Sequence, residues 1–186
     1  MKFTTSSASE TERLAQQLSL FAKPGMVILM RGELGAGKST FARAFIKALA
    51  MSNKEFDVPS PTFSLIQTYS ETRVPTAHID LYRLGQNSDI QELGLDELAS
   101  SHLLLVEWPS AALASLSADT LTLDFSGAGQ SRVINAVATG AWSQAVARNS
   151  EILTFLNSHK IDPTTRIFFE GDASSRRYEK DRKSVV

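Results

Sequence analysis

Residues 26–40 read MVILMRGELGAGKST, five apolar residues that break into a glycine-rich turn and close on Lys38-Ser39-Thr40. An uninterrupted apolar run of this length predicts a strand buried on both faces. The spacing Gly32-x4-Gly37-Lys38-Ser39 predicts a phosphate-binding loop. Its glycines let backbone N–H groups turn inward around phosphate oxygens, the lysine neutralises β/γ charge, and the serine hydroxyl ligates Mg²⁺. From Lys38 to Ala50, the positions Phe41, Phe45, Ala48 and Leu49 mark one face of a helix, whose N-terminal dipole favours an anion. The pattern should arise by chance in a chain this long with probability on the order of 0.01. With a strand before it and a helix after it, a plain glycine turn is the weaker reading.

Outward from the loop, strand and helix alternate. Ser9-Glu10-Thr11-Glu12 has capping-box spacing, and Leu14, Leu18 and Phe21 follow at helical spacing, so residues 9–22 read as a helix ended by Lys23-Pro24-Gly25. VPSPTF at 58–63 carries two prolines and predicts a constrained loop. Residues 64–69 and 76–81 read as strands, 89–100 as a short helix, and Leu103–Val106 as a second apolar strand ending on Glu107-Trp108-Pro109. Thr120–Phe125 and Arg132–Ala138 alternate with a period of two around Gly127-Ala128-Gly129, the pattern of a hairpin.

Composition bounds the class. The chain has 186 residues, 42% of them hydrophobic, a net charge of −1 and no cysteine, so disulfides, thiolate metal sites and a cysteine nucleophile are excluded. The opening MKFTTSSASETE has no signal-peptide core, and no apolar run approaches the length of a membrane span. We expect a cytoplasmic protein without a membrane contact. The charge balance disfavours direct, sequence-independent binding of nucleic acid.

A magnesium nucleotide also needs an acid, commonly at the C-terminal end of a nearby strand. Asp80, after 76–79, and Glu107, after 103–106, are the candidates; otherwise each is a helix cap or a surface charge. His78 reads as a strand residue satisfied by hydrogen bonds. Trp108 fits core and interface equally. A guanine-reading Asn-Lys-x-Asp is missing, since Asn53-Lys54-Glu55 lacks the Asp. ATP is therefore the expected nucleotide.

GELGAGKST at 32–40, PSPTFSLIQTY at 59–69, HIDLYRL at 78–84 and VEWP at 106–109, in this order and spacing, resemble the TsaE (YjeE) family of bacterial ATPases. That family acts in making the threonylcarbamoyl-adenosine modification of tRNA position 37. The resemblance runs from about residue 4 to 145. It implies an α/β, P-loop NTPase-like three-layer fold with a mostly parallel central sheet and an antiparallel hairpin at the edge. It implies ATP and Mg²⁺ as cofactors, and an intrinsically slow ATPase switched on by the partners TsaB and TsaD, with tRNA involved indirectly. Carried over by position, Gly32, Gly35, Ala36, Gly37, Lys38, Ser39 and Thr40 hold the phosphates, and Ala8 to Thr11 lie near the adenine. Ser39 and Glu107 serve Mg²⁺, with Asp80 an essential acid near the γ-phosphate and a further metal candidate. Lys38, Asp80 and Glu107 form the catalytic set. Ser60, Pro61 and Thr62 lie in a switch-like loop, and Trp108 lies near the partner-facing edge. Glu33, Ser39 and Ile79 stand where the family usually has Asp, Thr and Phe.

Arg83 is a candidate arginine for charge stabilisation in cis, as is an arginine from a partner. A small-molecule or nucleotide kinase would share the loop but needs a lid of arginines, and Arg73 and Arg83 make no clear lid segment. A nucleotide-gated binding protein without turnover is the third class. The expected organisation is an ATPase domain at 1–146 followed by residues 147–186, a linker helix plus an appendage. There GDASSRRYEK at 171–180 resembles the start of an aminoglycoside-phosphotransferase-like kinase domain. Arg176, Arg177, Lys180, Arg182 and Lys183 equally fit a solvated basic tail. Val186 precedes every catalytic residue of such a kinase, as in a truncated fusion.

Overall fold

The computed structural model describes residues 1–50, 56–84, 93–111, 113, 116–127, 129, 131–163, 166–169 and 178–181. The expected features at 53–55, 89–92, Ala128, 171–177 and 182–186 lie outside the described residues. The elements run β1 (Lys2–Thr5), α1 (Ala8–Ser19), β2 (Val27–Arg31), α2 (Lys38–Leu49), β3 (Ile66–Tyr69), β4 (Thr76–Asp80), α3 (Leu95–Ser101), β5 (Leu103–Glu107), β6 (Thr120–Ser126), β7 (Arg132–Ala138), α4 (Gly140–Ser158), β8 (Arg166–Phe169) and β9 (Tyr178–Asp181).

A seven-stranded sheet has the order β1-β7-β6-β2-β5-β4-β3. Its centre, β6-β2-β5-β4, is parallel. The flanks are antiparallel: β3 on β4, β7 on β6, and β1 on β7. The expected α/β class and largely parallel core are therefore present, with β1 outside the hairpin.

The alternation of side chains along the central strands explains the layering. Ile28, Met30, Leu103, Leu105, Leu121 and Leu123 face α1, α2 and α4 in the larger core. Val27, Leu29, Ala77, Ile79, Leu104 and Val106 face α3 on the other side. Both faces of β2 and β5 are thus covered, as an all-apolar run requires. Fully buried side chains such as Ile28 and Leu105 each contribute about 1.5–3 kcal/mol of transfer free energy. Phe41 and Phe45 of α2 bridge the larger core, with ring centroids 5.9 Å apart; Phe41 meets Phe125 edge-on at 5.9 Å and Phe45 meets Trp142 at 6.5 Å.

Several boundaries differ from the sequence-based expectation for local reasons. The helix cap lies two residues earlier: Ser7 Oγ accepts from the Glu10 N–H at 3.2 Å, and Glu10 Oε2 accepts from the Ser6 N–H at 2.7 Å. Ser7-x-x-Glu10 is an overlapping copy of the same motif, so the helix starts at Ala8, and it ends at Ser19, short of the expected 22. β3 begins at Ile66 because Leu65 takes a left-handed φ of 63°. The last long helix begins at Gly140, where Asp119 Oδ1 accepts from the Ala141 N–H at 2.7 Å. β1 has no counterpart among the elements expected from the sequence. β8 and β9 pair antiparallel as a separate two-stranded sheet.

Candidate functional site: the glycine loop and the ends of β4 and β5

The loop between β2 and α2 is shaped by its glycines. Gly32 has φ 132°, and a Cβ there would collide with the Phe125 carbonyl oxygen. Gly37, the residue before α2, has φ 106°. Both conformations are costly for any residue with a side chain. Ala36 is buried, and its N–H donates to Glu33 O at 3.1 Å, which closes the turn.

Lys38 opens α2 and folds back over the loop. Its Nζ donates to Gly32 O at 2.6 Å and to Glu33 O at 2.9 Å, and lies 3.9 Å from the centroid of the Trp108 ring. Burial pushes the ammonium below the ordinary lysine range, while Glu107, Asp80 and Glu33 pull it back. Trp108 holds a left-handed φ of 56°. Its N–H donates to Met30 O at 3.1 Å, and its ring leans on Tyr82 with centroids 4.9 Å apart. Trp108 therefore sits at the glycine loop itself.

The two acids come from neighbouring parallel strands. Asp80 and Glu107 are register partners at the ends of β4 and β5, and Met30 of β2 is paired to Glu107 on its other side. Both acids are buried, yet they have different partners. Glu107 Oε2 accepts from the Ser39 hydroxyl at 2.8 Å, and Oε1 is 2.8 Å from His78 Nε2. Asp80 Oδ2 accepts from the Thr62 hydroxyl at 3.0 Å, and Oδ1 from the Tyr82 N–H at 3.0 Å. Glu107 thus belongs to the glycine loop, and Asp80 to the loop at 59–65. That second loop is closed by the Leu65 N–H on Pro61 O at 2.7 Å, and Ser60 Oγ is 2.9 Å from Thr62 Oγ1. Asp80 also donates its own N–H to Leu65 O at 2.9 Å.

A cavity of about 440 Å³ opens beside the glycine loop, lined by Ala8 and Thr11 of α1, Gly35 and Thr40, and Gly129 and Arg132. The Thr11 hydroxyl is turned inward, 2.9 Å from that of Thr5 and donating to Ser7 O at 3.4 Å. Sequence reasoning missed Arg132. Its Nε donates to Ala36 O at 2.8 Å and its Nη2 to Gly35 O at 3.1 Å, while Nη1 donates to Gly129 O at 2.7 Å and Ser131 O at 2.9 Å. One guanidinium joins the glycine loop to the β6–β7 hairpin. Its only sequence signal is an arginine opening a strand after a glycine turn, which is too common to single out. The two arginines weighed from the sequence point elsewhere: Arg83 lies 5.4 Å over Phe63, and Arg73 Nη2 donates to Ser19 O at 2.7 Å.

The donor set suits a magnesium nucleotide. Mg²⁺ takes one or two protein oxygens and leaves its other positions to phosphate and water, and Ser39 with Glu107 offers that. Among the described residues no group of three His, Cys, Asp or Glu could hold a metal by itself. No described helix is long and apolar enough to cross a membrane.

The family model "Threonylcarbamoyl adenosine biosynthesis protein TsaE" matches residues 5–134. A protein of Rickettsia conorii named tRNA threonylcarbamoyladenosine biosynthesis protein TsaE is 42% identical over 105 residues, 56% of this chain and 59% of that one. A Bacillus subtilis protein of the same name is 36% identical over 130 residues, 69% of this chain and 79% of its own. The match with the Rickettsia relative thus spans about three fifths of that relative's length. The crystal structure of Bacillus subtilis YdiB superposes with a TM-score of 0.60 at 30% identity, covering 86% of this chain and 95% of that one.

Proposed function

The chain belongs to the TsaE family, and from that premise we propose that it is a Mg²⁺-dependent ATP hydrolase. It would bind the TsaB–TsaD assembly in the cytoplasm and drive that assembly's turnover in threonylcarbamoylation of tRNA adenosine 37. The observation that carries this reading is the 2.8 Å bond from Ser39 to Glu107, which joins the hydroxyl of a phosphate loop to a strand-end carboxylate.

In this reading the backbone amides from Gly32 to Thr40 receive the phosphates, and Lys38 leaves its carbonyl partners to neutralise them. Ser39 and Glu107 would hold the metal, which would supply neutralisation of phosphate charge. Asp80 orients the attacking water or the metal's hydration shell. Thr11 and the first turn of α1 border the base. Ser60, Pro61 and Thr62 act as the switch, because Thr62 is tied directly to Asp80 and can report a change there to the surface. Trp108 lies near the partner-facing edge. Residues 1–146 make up the ATPase domain, and 147–186 a linker and the start of a phosphotransferase-like domain or a tail.

The test is phosphate release from ATP and Mg²⁺, measured with and without TsaB and TsaD. Partner-stimulated release that is lost in Asp80→Ala supports the reading. Transfer of phosphate to a small acceptor would make the chain a kinase, binding without turnover would make it a gated binder, and either result overturns it.

A further inference from the structure

His78 is buried in β4, fully shielded from solvent, and its polar atoms are used unevenly. Nε2 is 2.8 Å from Glu107 Oε1, whereas Nδ1 meets no hydrogen-bond partner among the described residues. A carboxylate oxygen in the accepting role at this contact assigns the donor role to Nε2. The ring's one polar contact is therefore with Glu107. Burying a ring nitrogen without a partner is a cost that an apolar side chain at the same point of the strand would not carry. The imidazole serves the carboxylate rather than the sheet.

Glu107 needs such a partner. The last torsion of a glutamate is broad and soft, so a single contact leaves its carboxylate plane free to swing. Here two donors fix the plane from opposite sides: the Ser39 hydroxyl at Oε2, from the glycine loop, and His78 Nε2 at Oε1, from the sheet. A hydroxyl has one proton and two lone pairs, so Ser39 can continue donating to Oε2 while a lone pair ligates a cation. His78 stands two residues before Asp80 on the same strand and pairs in register with Leu105, two residues before Glu107. It reaches Glu107 diagonally across the rigid floor of the sheet.

We propose that His78 is a positioning residue for the metal-binding carboxylate, its Nε2–H holding Glu107 in the plane that turns Oε2 toward Ser39. This inference rests on the magnesium-nucleotide reading above. Outer-shell partners of this kind typically change metal affinity by roughly 10–100-fold.

The experiment compares His78→Gln, whose side-chain amide reaches the place of Nε2, with His78→Asn, whose amide stops near Nδ1. Calorimetry measures ATP affinity with magnesium and with chelator, and thermal melts follow folding. In His78→Asn the magnesium-linked gain should fall by roughly 10–100-fold while the metal-free affinity holds; His78→Gln should recover most of the gain. A ¹⁵N spectrum of the nucleotide-free, metal-free wild type should show the proton on Nε2. An undiminished magnesium gain in His78→Asn overturns the proposal, as does equal loss of metal-free affinity in both variants, or a proton found on Nδ1. A wild type without any magnesium-linked gain would overturn the hydrolase reading instead. The two failures are separable, because the tautomer measurement needs neither metal nor nucleotide.

Discussion

Arg132→Ala should weaken nucleotide binding by roughly 10–100-fold although the arginine lies in another part of the chain from the glycine loop. Its guanidinium makes four bonds to carbonyl oxygens, but they are unequal. The bond from Nε to Ala36 O is partly buried, while those to Gly35, Gly129 and Ser131 are exposed. Water replaces exposed bonds at little cost, so these three are counted as near zero. A charge-assisted bond sheltered from water is worth about 1.5–3 kcal/mol. If that energy holds the loop in its binding shape, its loss appears in affinity at about 1.4 kcal/mol per factor of ten. Arg132→Lys should recover less than half, because one ammonium cannot span both the loop and the hairpin. The assay is calorimetric titration with ATP, paired with a thermal melt. An Arg132→Ala chain that melts earlier but binds ATP unchanged would refute the reasoning, since the arginine would then only staple the hairpin.

Gly32→Ala should destabilise by at least about 2 kcal/mol through its positive φ and the collision with Phe125 O, lowering the melting temperature by roughly 4–8 °C. Gly35→Ala, with open space around the added methyl, should cost clearly less, and equal melts would refute the packing argument. Thr62→Val removes a half-exposed bond to Asp80 worth about 1 kcal/mol; amide exchange at Leu65 should quicken roughly fivefold, and no change would detach the loop from Asp80. The carboxyl of Glu10 is held below its ordinary range chiefly by the Ser6 N–H. Its contribution to the start of α1 is therefore complete above the unfolded value and is lost as pH falls through the lowered one. The Ser6 amide resonance should follow that titration, and Glu10→Gln should abolish it.

What the sequence makes legible here is local. The apolar strand, the glycine turn and the helix behind it occupy consecutive residues, so periodicity and motif place them together without any knowledge of the fold. Asp80 and Glu107 are legible because each stands at the end of a segment that reads as a strand. The pairing of His78 with Glu107 is not, for it depends on β4 lying beside β5 in a particular register. The same holds for Arg132, which meets Ala36 only after the sheet has brought β6 alongside β2. β1 escapes notice because a four-residue edge strand such as Lys2–Thr5 carries one large apolar side chain, Phe3, and its partner β7 lies far along the chain. The shifted cap has a simpler origin: Ser7 and Ser9 both stand three residues before a glutamate, and the choice between them is made by where the preceding strand ends.

The ring of Trp108 against Lys38 has an optical consequence. The chain has two tryptophans, and they occupy opposite surroundings. Trp142 is sealed in the core against Phe45. Trp108 is half-buried with an ammonium 3.9 Å from its face, so its emission depends on where that charge resides. Moving the Lys38 ammonium off that ring should therefore change the emission of Trp108, while Trp142 stays in its sealed surroundings as a reference.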